Sequence, residues 1–222
     1  MDWDWELTLE VVIPRLLEAT WVTVYVTVIS FLLSLVGGLI FMILKTSKNR
    51  LISIIATEFI EIIRSTPLLI QIFFIFFGLP RFGITLPPVT SGIIAFSLYN
   101  STLCAEVYRA GLLAIPKGQW EACTALNLSF IRSFFRIIFP QSLIPIIPAL
   151  GNFLVGIFKE TPILSFIAVA EVMHVAKMVG YEYYEFTEAI TAVGILFIIL
   201  SLISAKLISM TEIYVRRSVI HE

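Results

Sequence analysis

The sequence predicts an all-α integral membrane protein with about five membrane-spanning helices. Three observations predict it. Of its 222 residues, 59% are hydrophobic and only 14% charged, whereas a soluble domain is nearer half apolar and a quarter charged. The mean hydropathy is accordingly +0.97. The apolar residues also gather into runs long enough to cross a ~30 Å hydrocarbon core at ~1.5 Å per residue. Short polar or cationic stretches separate those runs. The net charge of −1 and the absence of a basic run exclude a nucleic-acid binder.

Residues 1–18 are read as an extracytoplasmic segment. The stretch is acidic and lacks the positive n-region and small-residue cleavage site of a secretory signal, so no cleaved signal is read. Trp3, Trp5 and Trp21 suit an interfacial aromatic belt. The first span covers 19–44; its Gly37-Gly38 pair either permits close helix contact or is ordinary membrane-helix glycine. A basic loop, 45–50, follows. The second span, 52–79, carries Glu58, Glu61 and Arg64 and the break Ser65-Thr66-Pro67. A turn-rich loop leads to the third span, 89–113, which contains Asn100, Glu106 and Arg109. A polar insert occupies 114–136. The fourth span, 144–170, is broken: prolines at 140, 145, 148 and 162 interrupt the run. One spanning helix is expected from about Ile144 to Phe158, then a break near Thr161 and a short helix through Glu171. Residues 177–186, KMVGYEYYEF, read as a polar and aromatic outer loop. The fifth span is 188–213, and 214–222 form a tail with Arg216 and Arg217.

Five spans put the ends on opposite sides, and the positive-inside rule orients them. The 45–50 loop, the insert and the tail hold eight cations, against three (Arg15, Arg81 and Lys177) on the other side. The insert and C-terminus are therefore expected in the cytoplasm and the N-terminus outside, in a multi-pass protein of the cell (inner) membrane.

Within the insert, Pro116 suits the first turn of a helix, and Glu121 near that start suits the helix dipole. Asn127 can end the helix in a left-handed conformation, and Ser129 can cap a second helix. Glu121-Ala122-Cys123 is followed by three residues, Asn127, nine residues, Ile137, one residue and Phe139-Pro140. This resembles the coupling (EAA) loop of permease subunits of ATP-binding-cassette importers, whose pattern is Glu-Ala-Ala, three residues, Gly, nine residues, Ile, one residue, Leu-Pro. Cys123, Asn127 and Phe139 depart from it. Cys123 is small for small, Asn127 tolerates the left-handed turn, and Phe139 keeps an apolar contact. Glu106-Val-Tyr-Arg109-Ala-Gly111, Ile115-Pro-Lys-Gly-Gln119-Trp-Glu121 and Arg64-Ser-Thr-Pro-Leu-Leu69 look like the polar amino-acid branch of that family. The 159–165 stretch and the tyrosine-rich outer loop look most like the ectoine and hydroxyectoine permeases.

The resemblance implies the fold of a type I importer permease, with Gly118, Glu121, Ala122, Cys123, Leu126, Asn127 and Pro140 in the coupling loop. It implies a second permease subunit, identical or homologous, two copies of a separate ATPase and an external solute-binding protein. This chain has no G-x-x-x-x-G-K-[ST] phosphate loop, so ATP and magnesium belong to the partner ATPase and this chain binds no cofactor. By the same resemblance it is a transport subunit rather than an enzyme, with no catalytic residue.

Charges within a span are costly and face a partner or a wet pathway. Glu58, Glu61 and Arg64 share one helix face; that span is longer than the core requires, so they are read as sitting in cytoplasmic headgroups. Glu106 and Arg109 are read first as an ion pair behind the coupling loop and second as a solute contact. Arg64-Ser-Thr-Pro-Leu-Leu69 is echoed by Lys159-Glu-Thr-Pro-Ile-Leu164. Each proline frees the carbonyl four residues earlier, Ile63 and Phe158, and transporters build solute sites at such breaks. Lys159, Glu160 and Thr161, with Arg64, Thr66, Glu106 and Arg109, are thus the candidate path, the first three offering both charge signs and a hydroxyl to a zwitterion. A plain proline kink is the alternative. Cys104 and Cys123 are poorly placed to pair and lack metal-ligand spacing; Glu171 and His174 are too few for a metal site. Two rival functions are a membrane enzyme using Glu58, Glu61, Glu106 and His174, and an ATP-independent transporter or channel subunit. The first lacks a nucleophile, and the second leaves the insert unexplained.

Overall fold

The computed structural model describes residues 3–220, with side chains through Tyr214. Eight helices follow in order: α1 Trp5–Lys45, α2 Arg50–Ser65, α3 Leu68–Phe82, α4 Pro88–Leu113, α5 Lys117–Ala125, α6 130–160, α7 Val172–Tyr183 and α8 Phe186–Ile220. A 3-10 segment, Thr161–Ile167, links α6 to α7. Side-chain caps mark several starts: Asp4 accepts from the Leu7 amide and Asn49 from the Leu51 amide, satisfying orphan donors of the first turn.

By length and composition α1, the 130–167 stretch and α8 can each cross a membrane, and the bent pair α2–α3 makes a fourth candidate. α4, at 26 residues, has the length but a more polar composition. Its Ser97, Asn100, Ser101 and Thr102 are buried, because this helix is the internal one and turns small polar side chains onto α1. There the backbones come close. A Cβ on Gly38 would stand 2.5 Å from the Cys104 Cβ, and one on Gly37 would overlap the Ser101 hydroxyl. The sequence left open whether Gly37 and Gly38 were contact residues; they are. The Tyr108 hydroxyl donates to the Leu35 carbonyl across the same seam at 3.2 Å.

The seam also sets direction. Ser30 meets Ser97, Gly37 meets Ser101 and Gly38 meets Cys104, so the numbering rises together and α1 and α4 run parallel. The chain must therefore return across the bundle between them, and only the α2–α3 pair can do so. α6 is antiparallel to α4, since Gly111 meets Ile146 and Gly92 meets Leu164. α8 is antiparallel to α6, since Gly151 meets Ile208 and Phe158 meets Phe197. The start of α1 and the end of α8 therefore lie on opposite faces of the bundle. The α1–α2 loop and α5 share a face.

Two apolar clusters sit inside. One joins Val26, Leu68, Ile72, Phe96, Ile157 and Leu164 at mid-bundle. The other joins Leu7, Leu16, Val172, Val179, Ala189 and Val193 near the α1 start. Much of the remaining apolar surface points outward, for example Leu32, Val36 and Ile43 on α1 and Ile198, Leu202 and Ile203 on α8. Helix association in lipid rests on close packing rather than on hiding such side chains.

Several boundaries move. Within the expected 1–18 segment, residues 5–18 are continuous with the span: helix begins at Trp5 and passes through a wide π turn at Thr8–Val12 into it. The second span bends by 102° at Thr66, which is extended (φ −97°, ψ 130°) because it precedes Pro67. The fourth span does not start near Ile144. A π turn at Phe134–Ile138 carries helix from Phe130 through Pro140, Pro145 and Pro148 to Glu160, the extra backbone room of that turn falling just before Pro140. The outer loop is mostly α7, whose buried Glu171 caps it by accepting from the Met173 and His174 amides; the chain reverses at Tyr184, φ 60°. Helix continues past residue 213, and the side chains of Arg216 and Arg217 lie outside the described residues.

A Gly38→Leu substitution should cost at least the ~1–3 kcal/mol of overpacking, because backbone and Cβ atoms of α4 leave no space for it. Gly194→Leu, where a Cβ meets nothing within 4 Å, is the control. Thermal melting in detergent should fall for the first and stay level for the second; equal melting of the two would refute the seam.

Candidate coupling surface and solute path

The face shared by the α1–α2 loop and α5 carries the most distinctive local geometry. Pro116 (φ −56°, ψ 138°) occupies the cap position, one residue before the helical turn expected for it. α5 then ends as Asn127 turns left-handed at φ 53°. The Leu128 amide donates to the Cys123 carbonyl at 3.1 Å and the Asn127 amide to the Thr124 carbonyl at 2.9 Å, the paired bonds that close a helix over a left-handed residue. Ser129 starts α6, as expected, but through its carbonyl, which accepts from the Ser133 amide; its hydroxyl makes no capping bond.

Cys123 is only 3% exposed, which suits a small residue there. Gly118, Glu121, Ala122 and Leu126 are exposed. Glu121 lies beyond the first turn of α5, so the dipole contributes little to it. Its carboxylate has no hydrogen bond or ion pair among the described residues. Beside it the apolar side chains of Leu126, Phe130, Ile131 and Phe135 are all more than 60% exposed. Trp120 stacks on Phe130, and Phe130 on Phe134, at centroid distances of 6.0 and 6.1 Å. Gln141 donates to Gln119 at 3.3 Å. α5 is thus fastened to the first turns of α6, with Pro140 just past the π turn, while its other face is open.

Behind this surface, Glu106 accepts from Lys45 with one oxygen and from Arg109 with the other, at 2.8 and 3.0 Å for the arginine. The Glu106–Arg109 pair was legible in the sequence; Lys45 was read as loop. It is the last residue of α1, and the parallel seam brings it to α4. The network ties the two helices together where they reach the face that carries α5.

The two proline breaks lie together. Residues following each break share the mid-bundle cluster, and Phe73 meets Phe166 edge-on at 6.4 Å. Each freed carbonyl has a side-chain donor: Gln71 serves Ile63 at 2.7 Å and Thr161 serves Phe158 at 2.8 Å. Gln71 was missed; it is the residue four after Pro67, one turn into the resumed helix. Thr161 is fully buried and its hydroxyl is committed to that bond, so it is a less available solute donor than the sequence suggested. Thr66 likewise donates to the Ile62 carbonyl, and Arg64 pairs with Glu61 at 3.9 Å at an exposed site.

Lys159 is exposed and Glu160 half-buried, and neither has an ion pair among the described residues. Lys159 stands between two hollows flanked by α6 and α8, of about 560 and 470 Å³. The second also presents Asn152, Ser209 and Glu212, so both charge signs and neutral hydrogen-bonding groups face it. On the opposite side from α5, Arg15 bonds Glu182 and lies 5.9 Å over the Tyr183 ring; that hydrogen bond holds the Glu182 carboxyl below the usual range.

The family model described as "Binding-protein-dependent transport system inner membrane component" matches residues 34–218. A probable amino-acid ABC transporter permease of Sinorhizobium fredii is 34% identical over 91% of this chain and 87% of its own length. The L-cystine transport system permease of Bacillus subtilis is 36% identical over 79% of this chain and 75% of its own. A solved amino acid ABC transporter with histidines superposes with a TM-score of 0.90 at 30% identity, over 96% of this chain and 99% of that one. The inward-facing MetNI methionine ABC transporter, 20% identical, shares the fold with a TM-score of 0.70 over 93% and 97%. A helical bundle with an exposed capped helix on one face, matched by this family model over most of its length, is a permease subunit and not an enzyme: the chain belongs to the inner membrane components of binding-protein-dependent transport systems.

Proposed function

We propose that this chain is the membrane subunit through which an ATP-driven importer moves a polar amino acid, or a related zwitterion, across the cell membrane by alternating access. The single observation that carries the reading is α5: closed at Asn127, fastened to α6 through Trp120 and Gln119, and offering Glu121 and an apolar patch to a partner. A separate ATPase binds that face and carries ATP and magnesium. An external binding protein delivers solute to the opposite side, and a second permease subunit, identical or homologous, completes the path. The positive-inside count supports α5 in the cytoplasm and the start of α1 outside.

The geometry supports a lever. From Phe130 to Glu160 helix is unbroken, a length on the order of 45 Å. Closure of the ATPase dimer draws the two coupling helices together, and α6 carries that movement to its far end, where Lys159 and Glu160 stand. The Lys45–Glu106–Arg109 network makes α1 and α4 move as one at the same face. Nucleotide and solute bias the two states only through their differential affinities for them. Lys159 and Glu160 can meet the carboxylate and the ammonium of a zwitterion, while Thr161, Thr66 and Gln71 hold the breaks in shape. Ectoine and hydroxyectoine are the narrower solute reading, resting on residues 159–165 and the tyrosines of α7. The relatives described above carry amino-acid names, which favours the broader class.

Reversing the charge in Glu121→Arg should weaken co-purification of the ATPase by about tenfold or more, or leave assembly intact and uncouple transport. Wild-type assembly with coupled uptake would remove α5 as the docking helix.

Glu160→Gln should lower solute uptake by about tenfold, the worth of one charge-assisted contact, with ATPase stimulation retained. Uptake at the wild-type rate would take the 159–161 break out of the solute path and leave the coupling assignment untouched.

A further inference from the structure

The hollow of about 470 Å³ between α6 and α8 runs from Pro148 and Glu212, at its end nearer α5, to Lys159 at the other. Asn152, Gly156 and Ser209 line it between those ends. Pro148, Asn152, Gly156 and Lys159 recur at helical spacing along one face of α6, and Ser209 and Glu212 share a face of α8. Lys159 and Glu212 are exposed and have no hydrogen bond or ion pair among the described residues. Each stands in a stretch able to cross a membrane. A charge there faces water or a partner rather than acyl chains, so this polar lining marks a wet face.

Spacing and charge say what fits. From Pro148 to Lys159, α6 rises on the order of 16 Å. Gly151 meets Ile208, and Glu212 lies one turn beyond Ile208 toward the α5 face, level with Pro148. To grip the α-carboxylate and α-ammonium of one amino acid, which share a carbon, Lys159 and Glu212 would both have to stretch fully. A solute with a second cation at the end of its side chain spans the gap with both relaxed. The charge balance agrees. With Lys159 on the carboxylate and Glu160 on the α-ammonium, Glu212 is a negative charge left over, and only a further cation neutralises it.

We infer that this hollow receives the side chain of a cationic amino acid, with Glu212 meeting the distal ammonium or guanidinium. The inference rests on the solute path through Lys159 and Glu160 proposed above. Asn152 and Ser209 offer neutral hydrogen-bonding groups along the way.

The test is equilibrium dialysis of radiolabelled lysine, glutamine and glutamate against the purified complex of this chain with its ATPase, without nucleotide or binding protein. Lysine should bind about tenfold more tightly than glutamine, the worth of one charge-assisted hydrogen bond. Glu212→Gln should bring lysine down to the level of glutamine. Glu212→Lys should favour glutamate over lysine, a reversal that misfolding does not produce. Gly156→Trp fills the hollow, since a Cβ there meets nothing within 4 Å; it should abolish the lysine preference while size-exclusion shows the complex intact. Failure to bind lysine, equal binding of lysine and glutamine, or a lysine preference that survives Glu212→Gln or Gly156→Trp overturns the inference. Lys159→Gln separates it from the reading beneath. Weaker binding of both lysine and glutamine keeps the path even where the lysine preference fails; unchanged binding of both removes the path and the inference together.

Discussion

The close approach of α1 and α4 is the constraint from which the rest of the bundle follows. In lipid there is little to gain by hiding one apolar helix against another, so two helices hold together by fitting. Gly37 and Gly38 let the backbones meet Ser101 and Cys104. That contact makes the two helices parallel, forces the return crossing onto the bent α2–α3 pair, and fixes where Lys45 falls relative to Glu106. It also accounts for α4 being the most polar of the long helices: small hydroxyl side chains that bond their own helix's carbonyls, such as Ser101 to Ser97 at 2.6 Å, occupy a seam too narrow for Leu or Phe.

On this frame, rigidity and flexibility are segregated. The face that carries α5 is rigid: α5 is closed by paired backbone bonds, stacked through Trp120 and Phe130, and followed by an unbroken α6. The mid-bundle breaks at Pro67 and Pro162 interrupt the helical ladder; the Gln71 side chain donates to the Ile63 carbonyl, and the Thr161 hydroxyl and amide donate to that of Phe158. At the Pro162 break the side-chain bond of Thr161 lies beside Lys159 and Glu160, which have no ion pair among the described residues. The same placement keeps the costly charge of Lys159 at hollows rather than against packed helix.

Much of this was legible in the residues because it depends on local chemistry. Asn127 can turn left-handed, Pro67 and Pro162 cannot donate, and Glu106 and Arg109 are one turn apart; each appears as the chain alone dictates. What was not legible depends on partners distant in sequence. Lys45 looks like loop until the seam register brings it to Glu106. Gln71 looks like an odd polar residue in an apolar run until the bend presents it to Ile63. The tyrosine-rich stretch reads as loop by composition, yet it is helical because Glu171 caps it and Gly180 lets Phe186 pack within 2.5 Å of where a Cβ would stand. The prolines of α6 point to interruptions, yet the π turn gives room just before Pro140 and the helix runs on through Pro145 and Pro148.

The central claim is that this chain moves solute only when a partner ATPase drives α5. Uptake of radiolabelled polar amino acids into vesicles holding this chain and its ATPase tests it most directly, with ATP enclosed or omitted and the binding protein added or withheld outside. The account predicts accumulation only when ATP and binding protein are both present. Accumulation by vesicles that hold this chain alone, without ATP, would contradict it.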